Sequence, residues 1–586
     1  MTRPDPALLA AILNGAPRPE PEPPAPDPNR PDRAQWRLAL VAVFFAMGFV
    51  GVAGRMATLA LSEPVEPRMA ITDAPAHVAR AEIVDRAGRP LAMNLPAAAI
   101  YAHPHELDDP AAAAAALAAV LDGVSEDTLR ARFREGRRFA WVKRPISPRE
   151  RQAAHDLGLP GVYFGAREMR LYPAGRIGAH VLGGARFGDE SVDFADTVGL
   201  AGVEQRYDAA LRDPARAGAP LRLSLDLPAQ TALTETLRAA MERFTSKAAS
   251  AVLMEAGTGR IVAMVSLPDF DPNARPNPAD PKIAASGALM NRAAGGVFEL
   301  GSVMKPLFAA FAMEEGIAGP QSALDATGPL VWGRFTIRDF HRMPPRMTLT
   351  EVIAESSNVA TARLAIALGV ERTRAYLDRL GLLSPLEVDL AEASLSRPLT
   401  PPRWSELSAI TISYGHGLAI TPLHLAQAYA AMVNGGLRVR PSFDADAPPP
   451  AEADRVFSPQ TSARMRAILR AVVTDGTGGF AEAEGYEVAG KTGTADKPKP
   501  GGGYHRDRVI ASFAGAFPAS DPKYVMVVSL DEPVDRSGPI ARRTAGWTAA
   551  PVFGAAVARL APILGLRPIA PASPDDAPQA LVAAAQ

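Results

Sequence analysis

Hydrophobic patterning divides the chain into five regions. From Leu38 to Gly54 it reads "LALVAVFFAMGFVGVAG", seventeen residues without a charge, flanked by Trp36, Arg37 and Arg55. This is the short end of a membrane span, with the indole and guanidinium groups suited to its two interfaces. A cleaved signal peptide would start nearer the N-terminus, and a buried core helix would carry a polar face. Arg18, Arg30, Arg33 and Arg37 precede the segment and Arg55 and Arg68 follow it, which favours a cytoplasmic N-terminus and a single pass. Residues 1–35, with "PRPEPEPPAPDPNRPD", read as a disordered cytoplasmic tail, and 36–55 as the anchor. Residues 56–220 mix strand-like runs with a helical stretch at 110–122, "PAAAAAALAAVLD", and predict a modest α+β module.

Near Leu221 the pattern changes. "LRLSLDLPAQTALTETLRAAMERF" predicts a strand, a turn and an amphipathic helix, and "AASAVLMEAGTGRIVAMVS" predicts two apolar strands joined at Gly257–Gly259. Helical patterns then dominate to about residue 435, and strands return at 486–531. One sheet covered by helices, assembled from distant parts of the chain, is the expectation for 221–565. The last segment, 566–586, returns to tail-like composition.

Composition narrows the chemistry. With 62 Lys+Arg against 63 Asp+Glu, the chain offers no electrostatic footprint for nucleic acid. The absence of cysteine excludes disulfides, thiolate metal sites and cysteine catalysis. No HExxH pair or comparable His/carboxylate cluster points to a metal, and no GxxxxGK[ST] points to a nucleotide.

Three short motifs carry the candidate chemistry. In "GSVMKP", Ser302 and Lys305 fall on one face of a helix. Pro306 is tolerated only in a helix's first turn, so Ser302 lies at or beside the N-terminus. There the dipole favours an alkoxide or an oxyanion. Lys305 serves as a base only when neutral, which burial and a second cation would promote. Taken alone the pattern is weak, because serine commonly caps helices and "SDPK" at Ser520–Lys523 fits it too. "ESSNVATARLA" holds Ser356 and Asn358 just before a periodic helix. Those residues suit either capping or a proton-relaying hydroxyl with a substrate-orienting amide. In "VAGKTGTA", strand alternation puts Thr492 and Thr494 on one side, Lys491 supplies the second cation, and Gly493 admits close backbone approach. Each motif supplies what another requires: a cation for the base, a relay for the nucleophile.

Ser-x-x-Lys, Ser-x-Asn and Lys-Thr-Gly in this order resemble the penicillin-binding proteins and class A β-lactamases. "ARAEIVDRAGRPLA" at 79–92, "GLAGVEQRYDAAL" at 199–211, "LSLDLPAQ" at 223–230, "SYGHGLAITPLHLAQAYAAMVNGG" at 413–436 and "VTDGTGGFAEAEGYEVAGKTGTA" at 473–495 extend the likeness to class B penicillin-binding proteins. "SFAGAFPASDPKYVMVV" at 512–528 is similar to the cell-division, septal type. Leu300 and His424 depart from the family pattern outside the catalytic positions.

The resemblance implies a multidomain α+β fold: a transmembrane helix, an elongated non-catalytic pedestal of the dimerisation type (56–220) and a β-lactamase-like transpeptidase domain (221–565). It implies a D,D-transpeptidase without cofactor or metal, in which Ser302 attacks the D-Ala-D-Ala carbonyl of a peptidoglycan stem peptide and Lys305 takes its proton. Ser356, assisted by Lys491, relays a proton to the leaving amine, and Asn358 orients the substrate amide. Thr492 and Thr494, around Gly493, bind the terminal carboxylate, and the backbone N–H groups of Ser302 and Thr494 form the oxyanion hole. Implied partners are donor and acceptor stem peptides, β-lactams, a membrane glycan polymerase of the SEDS type and other divisome proteins. The implied location is the inner membrane at the septum, with the catalytic domain periplasmic. The elongation-type synthase is the nearest alternative. A β-lactamase would need a water-activating base, a D,D-carboxypeptidase would use water as acceptor, and a penicillin sensor or scaffold would carry a vestigial site.

Overall fold

A computed structural model describes residues 33–61, 80–134, 137–190, 195–216 and 218–569. The expected tails fall mainly on 1–32 and 570–586, which lie outside the described residues. The apolar segment forms a helix, Arg33–Leu61, whose window Ala39–Met56 has a mean hydropathy of 1.9 and is buried by none of the described residues. Its 29 residues extend about 44 Å at 1.5 Å per residue, more than the roughly 30 Å hydrocarbon core needs.

The pedestal is built on the long strand Pro90–Ala102, which pairs antiparallel with both Ala140–Ile146 and Val162–Leu171. The alanine-rich stretch is helical over Pro110–Val120, capped by Asp109 and with Pro110 in its first turn. Ala113, Ala114 and Leu117 turn its inner face onto this sheet's core with Ala98, Ile100 and Ala102. Two segments that carry the family likeness meet at a buried ion network. Arg80 donates to Glu204 at 2.8 Å and to Asp208 at 2.8 Å, and Arg170 reaches the other oxygen of Glu204 at 2.8 Å. Asp85 accepts from the backbone N–H groups of Ala87, Arg89 and Leu227, so the turn after Val84 is tied to the start of the next helical region. The short strand Leu221–Arg222 runs parallel to Ile83–Val84, and both contribute to the large core shared with the C-terminal unit.

The C-terminal unit is an antiparallel five-stranded sheet in the order Ala489–Pro498, Tyr504–Phe517, Tyr524–Asp531, Ala248–Glu255, Ile261–Leu267. Alternation sorts its residues between two cores. Val525 and Val527 face one helical layer, while Met526 and Val528 face the other. Because both faces are covered, "KYVMVVSL" reads as an almost continuous apolar run. Leu227–Arg243 and Ala549–Ile563, from the two ends of the unit, share one face. Lys305–Glu314, Pro422–Val433 and Pro459–Thr474 lie on the other. Pro422–Val433 is buried on every side, which explains its lack of a polar stripe. His424 completes a capping box with Thr421 and bonds the Ser384 carbonyl through its other nitrogen (2.9 Å), a structural role.

Candidate active site

Ser302 lies in a single 3₁₀ turn, Gly301–Met304, that runs into the α-helix Lys305–Glu314 with Pro306 in its first turn. The N-cap positions are Leu300 and Met304, so Ser302 is not a helix cap. Two glycines let neighbouring backbones close around it. Gly301 has φ +64°, and a Cβ there would come within 2.6 Å of the Thr494 carbonyl oxygen. A Cβ at Gly493 would come within 2.3 Å of the Leu300 carbonyl oxygen. The Ser302 turn and the strand Ala489–Pro498 therefore touch backbone to backbone, which sets Thr494 beside the serine.

Lys305 is completely buried at the start of its helix. Its Nζ donates to both the carbonyl oxygen and the hydroxyl of Ser356, the latter at 3.0 Å. Ser356 adopts φ +65°, a left-handed conformation rare for a residue with a side chain. That conformation turns both oxygens of one residue toward the same ammonium, and strain of this kind concentrates at functional sites. Burial holds the Lys305 ammonium well below the ordinary lysine range, and the charge of Lys491 adds to the effect, while Asp339 pulls the other way. Lys491 is also fully buried, and burial brings it down to about 7. Its Nζ bonds the carbonyl (3.1 Å) and hydroxyl (3.2 Å) of Thr492. The arrangement favours a neutral Lys305 beside a Lys491 poised near neutrality.

Ser357, not Ser356 or Asn358, caps the helix Asn358–Leu368, its hydroxyl accepting from Ala360 N at 3.1 Å. Asn358 is the first helical residue, and its Nδ2 donates to the Arg338 carbonyl at 2.9 Å. Thr492 shares a hydroxyl contact with Thr477 (3.0 Å), and Thr494 Oγ1 accepts from Ala545 N (2.9 Å). "SDPK" at 520–523 lies in the bend before strand Tyr524–Asp531, outside any helix.

Asp339 is the residue that motif reading misses. Its carboxylate accepts from the Ser357 hydroxyl (3.0 Å) and from the backbone N–H groups of Asn358 and Val359 (3.1 Å). It thus acts as a second cap, placed where a helix's positive end favours an anion. It sits in a loop without periodicity, and only the partial motif "ESSN" nineteen positions downstream hinted that something must hold that helix start.

Sequence comparison assigns this architecture to a known class. Residues 249–557 match the penicillin binding protein transpeptidase domain, and residues 75–215 match the penicillin-binding protein dimerisation domain. The chain belongs to the penicillin-binding protein family. Among its relatives is the probable peptidoglycan D,D-transpeptidase FtsI of Caulobacter vibrioides, 38% identical over 548 residues that span 92% of this chain and 90% of the relative. The peptidoglycan D,D-transpeptidase FtsI of Escherichia coli K12 is 30% identical over 571 residues, 91% of this chain and 92% of the relative. Penicillin binding protein 3 of Mycobacterium tuberculosis, crystallised with ampicillin, superposes with a TM-score of 0.63 at 28% identity, covering 85% of this chain and 98% of that one.

Proposed function

We infer that this chain is a serine-type peptidoglycan D,D-transpeptidase of the division class, held in the membrane by one N-terminal helix, and that Ser302 is its nucleophile. Relatives matched over 90% and 92% of their own length carry the activity in their names. The observation that carries the residue assignment is the completely buried Lys305 ammonium, shared with Ser356 and lowered by burial and by Lys491.

Ser302 Oγ attacks the carbonyl between the two terminal D-alanines of a stem peptide, and its proton passes to neutral Lys305. The backbone N–H groups of Ser302 and Thr494 receive the developing oxyanion, supported by the helix start at residue 305. Collapse breaks the C–N bond, and Ser356, backed by Lys491, delivers the proton to the departing D-alanine amine. Asn358 orients the substrate amide, while Thr492 and Thr494 hold the terminal carboxylate. The strand Ala489–Pro498 is the outer strand of its sheet, so its open side offers an extended peptide backbone partners of the strand-addition kind. Gly493 keeps that strand against the serine turn. An amine from a second stem peptide then attacks the ester, forms the cross-link and frees Ser302. β-Lactams acylate the same oxygen and stall there.

Residues 56–220 serve as the pedestal and 221–565 as the transpeptidase unit, a division supported by the two matched regions, 75–215 and 249–557. The arginine bias supports a cytoplasmic N-terminus and a periplasmic catalytic unit. The FtsI relatives support a septal location, and the partners we propose are a membrane glycan polymerase of the SEDS type and other divisome proteins.

The test is intact-mass analysis of the full chain in detergent after incubation with a labelled penicillin. A single long-lived adduct that is lost in Ser302→Ala is expected. Rapid drug turnover, or an adduct that survives the substitution, refutes the assignment. Septal accumulation of a tagged copy tests the location, and uniform lateral distribution would favour the elongation class.

A further inference from the structure

At one end of the pedestal sheet, the strand Pro90–Ala102 runs into a 3₁₀ turn, Pro104–Glu106. Three side chains converge there. His103 Nδ1 lies 3.3 Å from Glu106 Oε1, and His105 Nε2 lies 3.5 Å from the same oxygen. All three potential ligand atoms fall within 4.8 Å of one another.

These spacings are long for charge-assisted hydrogen bonds, which settle near about 2.7–2.9 Å. They match the edge of a tetrahedron around an ion with bonds of about 2.0–2.1 Å, which is about 3.3–3.4 Å. The surroundings hold the ligands in place. The other carboxylate oxygen of Glu106 accepts from Tyr163 OH at 2.7 Å, the kind of outer contact that orients a metal-binding carboxylate. The His103 ring packs against Tyr163 (5.0 Å between centroids) and Tyr101 (5.6 Å), and its backbone N–H bonds the Gly161 carbonyl at 2.7 Å. A Cβ at Gly161, which has φ +77°, would sit 2.9 Å from Glu106 Cβ, so the turn and the next strand are in backbone contact.

We propose that His103, His105 and Glu106 form a site for a borderline divalent cation, of which Zn²⁺ best suits two imidazoles and a carboxylate. The two imidazole nitrogens lie within 4.8 Å of each other, so the exposed His105 ring must turn to bring the third edge to the tetrahedral value, with water in the fourth position on the solvent side. The ion pins the turn to the start of strand Val162–Leu171. The sequence pattern H-P-H-E lacks the helical spacing of familiar zinc motifs. The extended His103 and the tight turn after it bring the two rings to one carboxylate.

The test uses the untagged full chain in detergent, stripped with a chelator and titrated with Zn²⁺ or Co²⁺ alone. One equivalent of Zn²⁺ is expected by calorimetry, and Co²⁺ should give the intense visible bands of tetrahedral coordination. His105→Ala and Glu106→Gln should each weaken the apparent affinity at least about tenfold and abolish those bands, while penicillin acylation stays unchanged and reports an intact fold. Absence of stoichiometric binding, or affinity unmoved in both variants, overturns the site.

Discussion

Replacing Asp339 with alanine removes a carboxylate that holds the start of the Asn358 helix through one hydroxyl and two backbone N–H donors. Hydrogen bonds to a charged group contribute about 1.5–3 kcal/mol each. The three are not additive, and the helix keeps the Ser357 cap on Ala360 N (3.1 Å). A net loss of about 1.5–3 kcal/mol is therefore expected, part as stability and part as misplacement of Ser356 and Asn358. With about half of it expressed as misplacement, at about 1.4 kcal/mol per decade, acylation by the folded protein slows roughly 3- to 13-fold. Charge loss cannot be the cause, because Asp339 favours protonated Lys305, and removing it leaves the base more neutral. Asp339→Asn separates the two effects: its amide oxygen still accepts from the two N–H groups, so most of the rate should return. The assay is the second-order acylation rate with a fluorescent penicillin, corrected for folded fraction. A rate within twofold of wild type in Asp339→Ala refutes the positioning argument, and an Asn variant as slow as Ala refutes the geometric half of it.

The coupled lysines set a pH profile: acylation needs neutral Lys305 and is aided by protonated Lys491, so its rate falls on the acid side as Lys305 gains a proton. On the alkaline side it falls near pH 7, where Lys491 loses one, and Lys491→Arg should remove that alkaline limb in whatever activity remains. Because Lys491 is lowered to about 7 in the fold from about 10.4 in an open chain, the native state binds fewer protons. Its contribution to stability rises with pH between those values, which denaturant titrations of Lys491→Met against wild type will show. Gly493→Ala forces a methyl to 2.3 Å from the Leu300 carbonyl, so acylation should drop by more than about 100-fold with circular dichroism unchanged. Glu204→Ala takes a carboxylate partner from Arg170 and Arg80, whose side chains are 4% and 2% exposed, and leaves Arg80 with Asp208. It should cost about 3–5 kcal/mol and lower the thermal midpoint by roughly 10 °C in a scanning experiment.

The sheet was legible because its strands, buried on both faces, are short continuous apolar runs and because the turn at Gly257–Gly259 carries glycine. Ser302 was legible because proline at 306 fixes the helix start, and Gly493 because only a missing side chain suits such contact. The left-handed Ser356 was not, since nothing local in "ESS" demands a positive φ; the demand comes from Lys305, fifty-one residues away. Asp339 was hidden for the same reason, and so was the Arg80–Glu204 pair, 124 residues apart in the chain. Local pattern reveals what a segment can do alone, whereas these contacts exist only after distant segments meet. The sequence offered Ser356, Ser357 and Asn358 as caps for this helix without choosing among them, and packing gives the cap to Ser357.

The central claim is that Lys305, buried and bonded to Ser356, is unprotonated at neutral pH and serves Ser302 as its base. Lysine-selective ¹⁵N labelling of the full chain, with the Lys305 signal assigned by its disappearance in Lys305→Arg, reads that state directly during a titration from about pH 5 to 11. The account predicts a neutral amine at pH 7 that becomes protonated only on acidification. A signal that remains a fully charged ammonium past about pH 9 would contradict it.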